Sequence, residues 1–212
     1  MCVIINNSNG AQIGSDVLEQ ATIDNPHGGG IIDVSTGEVI HSMSMKRVLA
    51  EMRKRKRWIS HCRWATVGPK TLDNCHPYPI KDDWFLMMNG TVRITCPTNW
   101  SDTKTIAKKV LRFSEPNEWD QVLSCFDSAR FIAWKHGCKP IITGRGWIEE
   151  GSVGYSKKIY VKPPVAKRKE VQFRDLEDDP NAVTRFERLA SFEREMQMAY
   201  DEYEAEKKGW LF

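Results

Sequence analysis

No stretch of this sequence is apolar for anything near the roughly 20 residues that a helix needs to cross a bilayer, which argues against a helical membrane span. The first residues lack the basic-then-apolar layout of an export signal, so a cytoplasmic setting is expected. Six cysteines, at 2, 62, 75, 96, 125 and 138, contain no C-x-x-C pair. In a reducing compartment they read as free thiols rather than as a disulfide framework. The five histidines (27, 41, 61, 76 and 136) have no ligand-like spacing, so neither a metal nor another cofactor is expected. Gly28-Gly29-Gly30 has no G-K-[ST] after it and is not read as a phosphate loop. Charge of one sign is scarcely in excess: 31 Lys and Arg against 28 Asp and Glu leave +3, too little to argue for nucleic acid. There is no internal repeat and no low-complexity tract.

What is present has the make-up of a soluble globular protein, 41% hydrophobic and 28% charged over 212 residues. That length suffices for one core and an appendage. Cys2-Val3-Ile4-Ile5 is a short apolar run closed by the turn-forming Asn6-Asn7-Ser8-Asn9-Gly10. Asn25 to Gly30 is a tight loop. Ile31 to Val34 and Glu38 to His41 flank Ser35-Thr36-Gly37 as a hairpin. Ser44 caps a predicted helix through Arg57, with Met45, Val48, Leu49 and Met52 on one face. Further strands are expected at residues 58–64, 84–88, 130–134, 140–143 and 158–161, and a second helix at 103–113 with Ser101 or Asp102 as its cap. Cys62 and Cys125 read as small core fillers.

The composition shifts at Lys162-Pro163-Pro164. Residues 163–212 are therefore read as a charged linker and an amphipathic helix that starts after Asp179-Pro180. Val183, Phe186, Leu189, Phe192, Met196, Ala199 and Tyr203 supply its apolar face, and Gly209 its stop.

Several motifs then fall in a telling order. Met1-Cys2 opens the chain, His61-Cys62-Arg63-Trp64-Ala65-Thr66-Val67-Gly68 reads H-x-R-x-A-T-x-G, and Asn74-Cys75-His76-Pro77 reads N-x-H-P. Asn89-Gly90, Ser101-Asp102-Thr103, Gly144 to Trp147 and Gly154-Tyr155-Ser156 follow. Over roughly residues 2–162 this series resembles the class II glutamine amidotransferases, and Asn25 to Gly28 resembles the glycine loop of their smaller, stand-alone members.

The resemblance implies an α+β fold, a four-layer αββα sandwich of the N-terminal-nucleophile (Ntn) hydrolase type. It implies a reaction in which L-glutamine and water give glutamate and ammonia. About fifty residues after Lys162 leave little room for an ammonia-using domain, so the expectation is either supply to a separate synthase subunit or hydrolysis of some other small amide alone. Cys2, once Met1 is removed, is the implied nucleophile. Its α-amine, with an ordinary pKa near ~8, can act as general base for the thiol. Asn89 and the Gly90 N–H are the implied oxyanion donors. Arg63 is assigned to the substrate carboxylate with help from Thr66 and Trp64, and Asp102 to its ammonium.

Each residue also has a plainer reading: Asn89-Gly90 as a hairpin turn, Arg63 as a salt-bridge arginine, Asp102 as a helix cap. His61 and His76 are read as orienting loops around the pocket. The sequence departs from the family pattern at Val67 and Met88, where histidines are usual, at Val3 for glycine and at Lys157 for asparagine. A different class of function is a catalytically silent scaffold that binds through its C-terminal helix or through Arg53-Lys54-Arg55-Lys56-Arg57. A solvated helix end is preferred over nucleic-acid contact for that run.

Overall fold

Alternation along the strands decides how this chain layers, because successive side chains leave a strand on opposite faces. The computed structural model describes residues 2–161. The expected linker and the helix after Asp179-Pro180 lie outside the described residues. Among the described residues, ten strands form two antiparallel sheets. The first contains β1 (Val3–Asn7), β2 (Gly29–Asp33), β3 (Val39–Ser42), β4 (Trp58–Cys62), β9 (Ile148–Glu150) and β10 (Val153–Tyr155), in the order β3-β2-β4-β1-β10-β9. The second contains β5 (Tyr78–Pro79), β6 (Phe85–Asn89), β7 (Arg130–Trp134) and β8 (Ile141–Thr143), in that order.

Three apolar clusters show which faces meet. Val3 and Ile5 of β1, Ile31 of β2 and Trp58 of β4 pack against Leu18 and Ala21 of α1 (Ser15–Ile23) and Val48 and Met52 of α2 (Met45–Lys54). The intervening residues Ile4, Ile32 and Ile59 meet Met87, Ile132 and Trp134 of the other sheet. On that sheet's far side, Leu86, Met88, Phe131 and Ala133 pack against Ile106, Ala107, Leu111, Trp119 and Leu123. The result is a mixed α and β structure in which helices cover the outer faces of two stacked antiparallel sheets. Full burial of each large apolar side chain contributes about 1.5–3 kcal/mol, so all three clusters are needed to hold the layers together.

Several local expectations need correction. Strand β1 continues through Asn7, whose carboxamide oxygen accepts the Ala11 N–H at 2.8 Å and so replaces a ladder bond at the turn. Helix α2 stops at Lys54 rather than Arg57, because Arg55 turns extended and its side chain is drawn into ion pairs. The second expected helix is three short pieces: α3 (Asp102–Thr105), a wide π turn at Ile106–Val110 and a 3₁₀ turn at Leu111–Phe113. Ser101 is its cap, accepting the Lys104 N–H at 3.1 Å. Residues 158–161 form no strand, and the closing hairpin is β9–β10, with Tyr155 opposite Ile5 of β1. Cys125 is exposed, not a core filler, whereas Cys62 is fully buried. Helices α1 and α4 (Trp119–Ser124) were not expected.

Candidate active site

Pleat parity sends Cys2 to the same side as Ile4, and Asn89 to the same side as Met87. Both therefore face the gap between the sheets, at the end where Val3 pairs with Cys62. Cys2 is buried, and its Sγ accepts the Trp64 N–H at 3.3 Å and lies 3.3 Å from the Trp64 carbonyl. Burial pushes this thiol up from its ordinary range, while the Trp64 N–H and the Arg63 and Lys157 charges pull the other way. The resting group is thus a thiol, and nucleophilic use of it requires a base to take its proton.

Asn89 is fully buried at the end of β6. Its Nδ2 donates to the Ser156 carbonyl at 3.2 Å, which fixes the orientation of the amide: a flipped Asn89 would set oxygen against oxygen. That leaves Nδ2 a second hydrogen, and Asn89 Oδ1 has no partner among the described residues. Ser156 in turn accepts the Ile4 N–H on its Oγ at 2.7 Å and donates its own N–H to the Ile4 carbonyl at 3.0 Å. One buried serine therefore joins Asn89 to β1, the strand that Cys2 directly precedes. Gly90 follows with φ +132°, and a Cβ there would come within 2.5 Å of the Ser128 carbonyl, so no other residue fits without moving the backbone.

Arg63 leaves β4 with only 2% of its surface exposed. Its Nη1 donates to the Pro69 carbonyl at 2.9 Å and its Nη2 to the Val67 carbonyl at 3.1 Å. No carboxylate forms an ion pair with it among the described residues. Asp102 is equally hidden, at 4% exposure, and has no cationic partner among those residues. Its Oδ2 accepts the Val92 N–H at 2.9 Å and its Oδ1 the Thr103 N–H at 2.8 Å. Burial raises its pKa, and these N–H donors only partly offset that effect. Thr66 Oγ1 lies 3.0 Å from Thr91 Oγ1, and Trp64 stands 42% exposed with its ring 5.0 Å from that of His27.

A closed circuit results. Cys2 touches the backbone at Trp64, Thr66 touches Thr91, Asp102 holds Val92, and Asn89 returns through Ser156 to Ile4. Every sequence-derived candidate is thereby brought to one end of the sandwich, although no direct hydrogen bond joins Cys2 to Asn89 or Arg63 to Asp102. Two departures from the motif pattern, Val3 and Met88, point away from the gap into the helix-covered cores. Val67 serves through its carbonyl, and Lys157 bonds Asn25 Oδ1 at 3.4 Å.

His61 and His76 stack at 3.8 Å, deep in the structure. His61 Nε2 lies 3.1 Å from the Met88 carbonyl and His76 Nδ1 3.3 Å from the Met88 N–H. Among the described residues no group of three or more His, Cys, Asp or Glu is placed to hold a metal, and no helix is long and apolar enough to cross a membrane. In the basic run, Arg53 contacts Ser15 and Glu19, and Arg55 meets Asp33, Glu38 and Glu51. Sequence reasoning missed Ser156 as the link between Cys2 and Asn89 and left Asn74 without a role. Their partners lie far along the chain, and only the order of the motifs hinted that they belonged together. No family model matches the chain, and no curated protein is found to be similar to it.

Proposed function

We propose that this chain is a class II glutamine amidotransferase, an Ntn hydrolase that releases ammonia from the side chain of L-glutamine by way of Cys2. The observation that carries this reading is the pair of buried, oppositely charged side chains, Arg63 and Asp102, each without a counter-ion among the described residues and each anchored beside the Cys2 end. A buried charge without a counter-charge is costly, and a free amino acid supplies both missing partners at once. Its α-carboxylate suits the planar guanidinium, and its α-ammonium suits the carboxylate.

Removal of Met1 exposes the α-amine of Cys2, which accepts the thiol proton as Sγ attacks the Cδ carbonyl carbon of glutamine. The resulting oxyanion accepts hydrogen bonds from the second Asn89 Nδ2 hydrogen and from the Gly90 N–H. The C–N bond breaks as the α-ammonium returns the proton to the leaving nitrogen, which departs as ammonia. The remaining thioester is then hydrolysed: water adds to its carbonyl, losing a proton to the amine, and the C–S bond breaks to give glutamate and the free thiol. In this reading the protein works in the cytoplasm, with a separate ammonia-using synthase as its partner. The scaffold alternative has less support, because Arg53 and Arg55 of the basic run are already engaged.

Intact mass, glutamine turnover and labelling test this together. Natively produced protein should lack Met1, release glutamate and ammonia in equal amounts, and take up one glutamine-analogue diazoketone at Cys2. A folded, processed protein that gives neither glutamate nor label contradicts the proposal.

A further inference from the structure

The segment Asn74–Cys75–His76 touches none of the reacting groups, yet it is bonded to the supports of most of them. Asn74 is fully buried. Its Nδ2 donates to the Asn99 carbonyl at 2.9 Å and to the Pro69 carbonyl at 3.3 Å, the same oxygen that receives Arg63 Nη1. Its Oδ1 accepts the Ser101 N–H at 3.0 Å, one residue before Asp102. Tyr78 reinforces the junction, its hydroxyl 2.9 Å from Ser101 Oγ. One carboxamide thus spans from the oxygen that holds Arg63 to the cap that holds Asp102.

Two residues on, His76 acts at the other half of the site. An N–H only donates, so His76 Nδ1 must present a lone pair to Met88 N–H. A carbonyl only accepts, so His61 Nε2 must carry the hydrogen toward Met88 O. Both polar groups of Met88, the residue before Asn89, are therefore gripped by stacked imidazoles. The loop itself is firmly seated: the His76 carbonyl lies so close to Gly30 of β2 that a Cβ there would come within 2.1 Å of it. The Tyr78 ring, at the start of β5, lies 5.0 Å from that of His76.

We infer that this loop is the positioning element of the site, with Asn74 setting the separation of the Arg63 and Asp102 charges and His76, through Met88, setting the Asn89-Gly90 donors. The inference rests on the glutamine reading above. The two residues act on different stages of the reaction: the Arg63–Asp102 clamp binds substrate in ground state and transition state alike, whereas the oxyanion donors act as charge develops. Their loss therefore separates in the kinetics.

The experiment is steady-state glutamine hydrolysis by the processed full chain and two variants, with thermal unfolding recorded for each. Asn74→Ala should raise KM for glutamine about 10-fold or more with kcat within about 3-fold. His76→Phe, which keeps a ring to stack on His61, should lower kcat about 10- to 100-fold with KM within about 3-fold. If Asn74→Ala does not fold, Tyr78→Phe must still raise KM by about 3-fold. Variants that both change the same parameter, or that change neither, overturn the inference while leaving the glutamine reading intact. A wild-type protein that does not hydrolyse glutamine overturns both, and that measurement comes first.

Discussion

Two arginines whose side chains are hidden from solvent flank β4, and the chain treats them in opposite ways. Arg55, its side chain 7% exposed, is met by Asp33, Glu38 and Glu51. Arg63, itself 2% exposed, donates to the carbonyls of Val67 and Pro69 and forms no ion pair among the described residues. The same sequence that surrounds one guanidinium with carboxylates leaves both Arg63 and Asp102 without an ion pair among the described residues. Under the proposed function, compensation before β4 and its absence after it separate a structural charge from one held for a ligand.

Removing each arginine should break this comparison most visibly. Arg63→Ala should lower kcat/KM for glutamine by about 10³-fold, as expected when one partner of a desolvated charge pair is lost. Its effect on stability should be small, because only backbone carbonyls lose a donor. Arg55→Ala should do the reverse, costing about 3 kcal/mol in denaturant unfolding, since three carboxylates then face one another, while KM stays unchanged. Equal effects of the two substitutions on KM would erase the distinction.

Asp102→Asn sharpens the same contrast from the acidic side, with an expected loss of about 10²-fold in glutamine affinity by titration calorimetry. Its raised pKa adds a pH signature. Glutamine binding requires the carboxylate, so affinity should be full at neutral pH and fall as pH drops through a value above the ordinary carboxylate range. In Asp102→Asn that acid limb should be gone.

The smallest expected effect concerns stability at the Cys2 end. Burial and the Arg63 charge hold His61 down to about 3, well below its ordinary value of 6.5. The unfolded chain therefore binds a proton that the folded chain refuses between those two values. The contribution is constant above pH 6.5 and is lost as pH falls toward 3, at up to about 1.4 kcal/mol per pH unit. Urea unfolding between pH 7 and pH 5 should show about 2 kcal/mol more loss in the wild type than in His61→Phe.

Much of the Cys2 end was legible in sequence, because Cys2, Arg63, Asn89-Gly90 and Asp102 each carry a short motif and the motifs stand in a telling order. The long apolar strands were legible as well, since Val3 to Ile5 and Phe131 to Trp134 are apolar on both faces and both faces are covered. The short β5, β9 and β10 lie outside the runs read as strands, and residues 158–161 form none. Ser156 was not legible as a connector, for its bond to Ile4 joins residues 152 apart. Asn74 does its work through Asn99 and Ser101, again beyond any local window. Helix α1 was missed because Gln20 and Thr22 are buried beside Leu18 and Ala21, which blurs its apolar stripe. The cap was ambiguous because Ser101 and Asp102 are adjacent good cappers, and only the Ser101 bond to Lys104 N–H decides between them.

In the proposed reaction Cys2, freed of Met1, attacks the glutamine side chain. Peptide mapping of the native protein after exposure to a glutamine-analogue diazoketone tests it most directly. One adduct is expected, on an N-terminal Cys2, blocked by excess glutamine and absent from Cys2→Ala. A processed, folded protein that takes no label at Cys2, or takes it equally with and without glutamine, contradicts it.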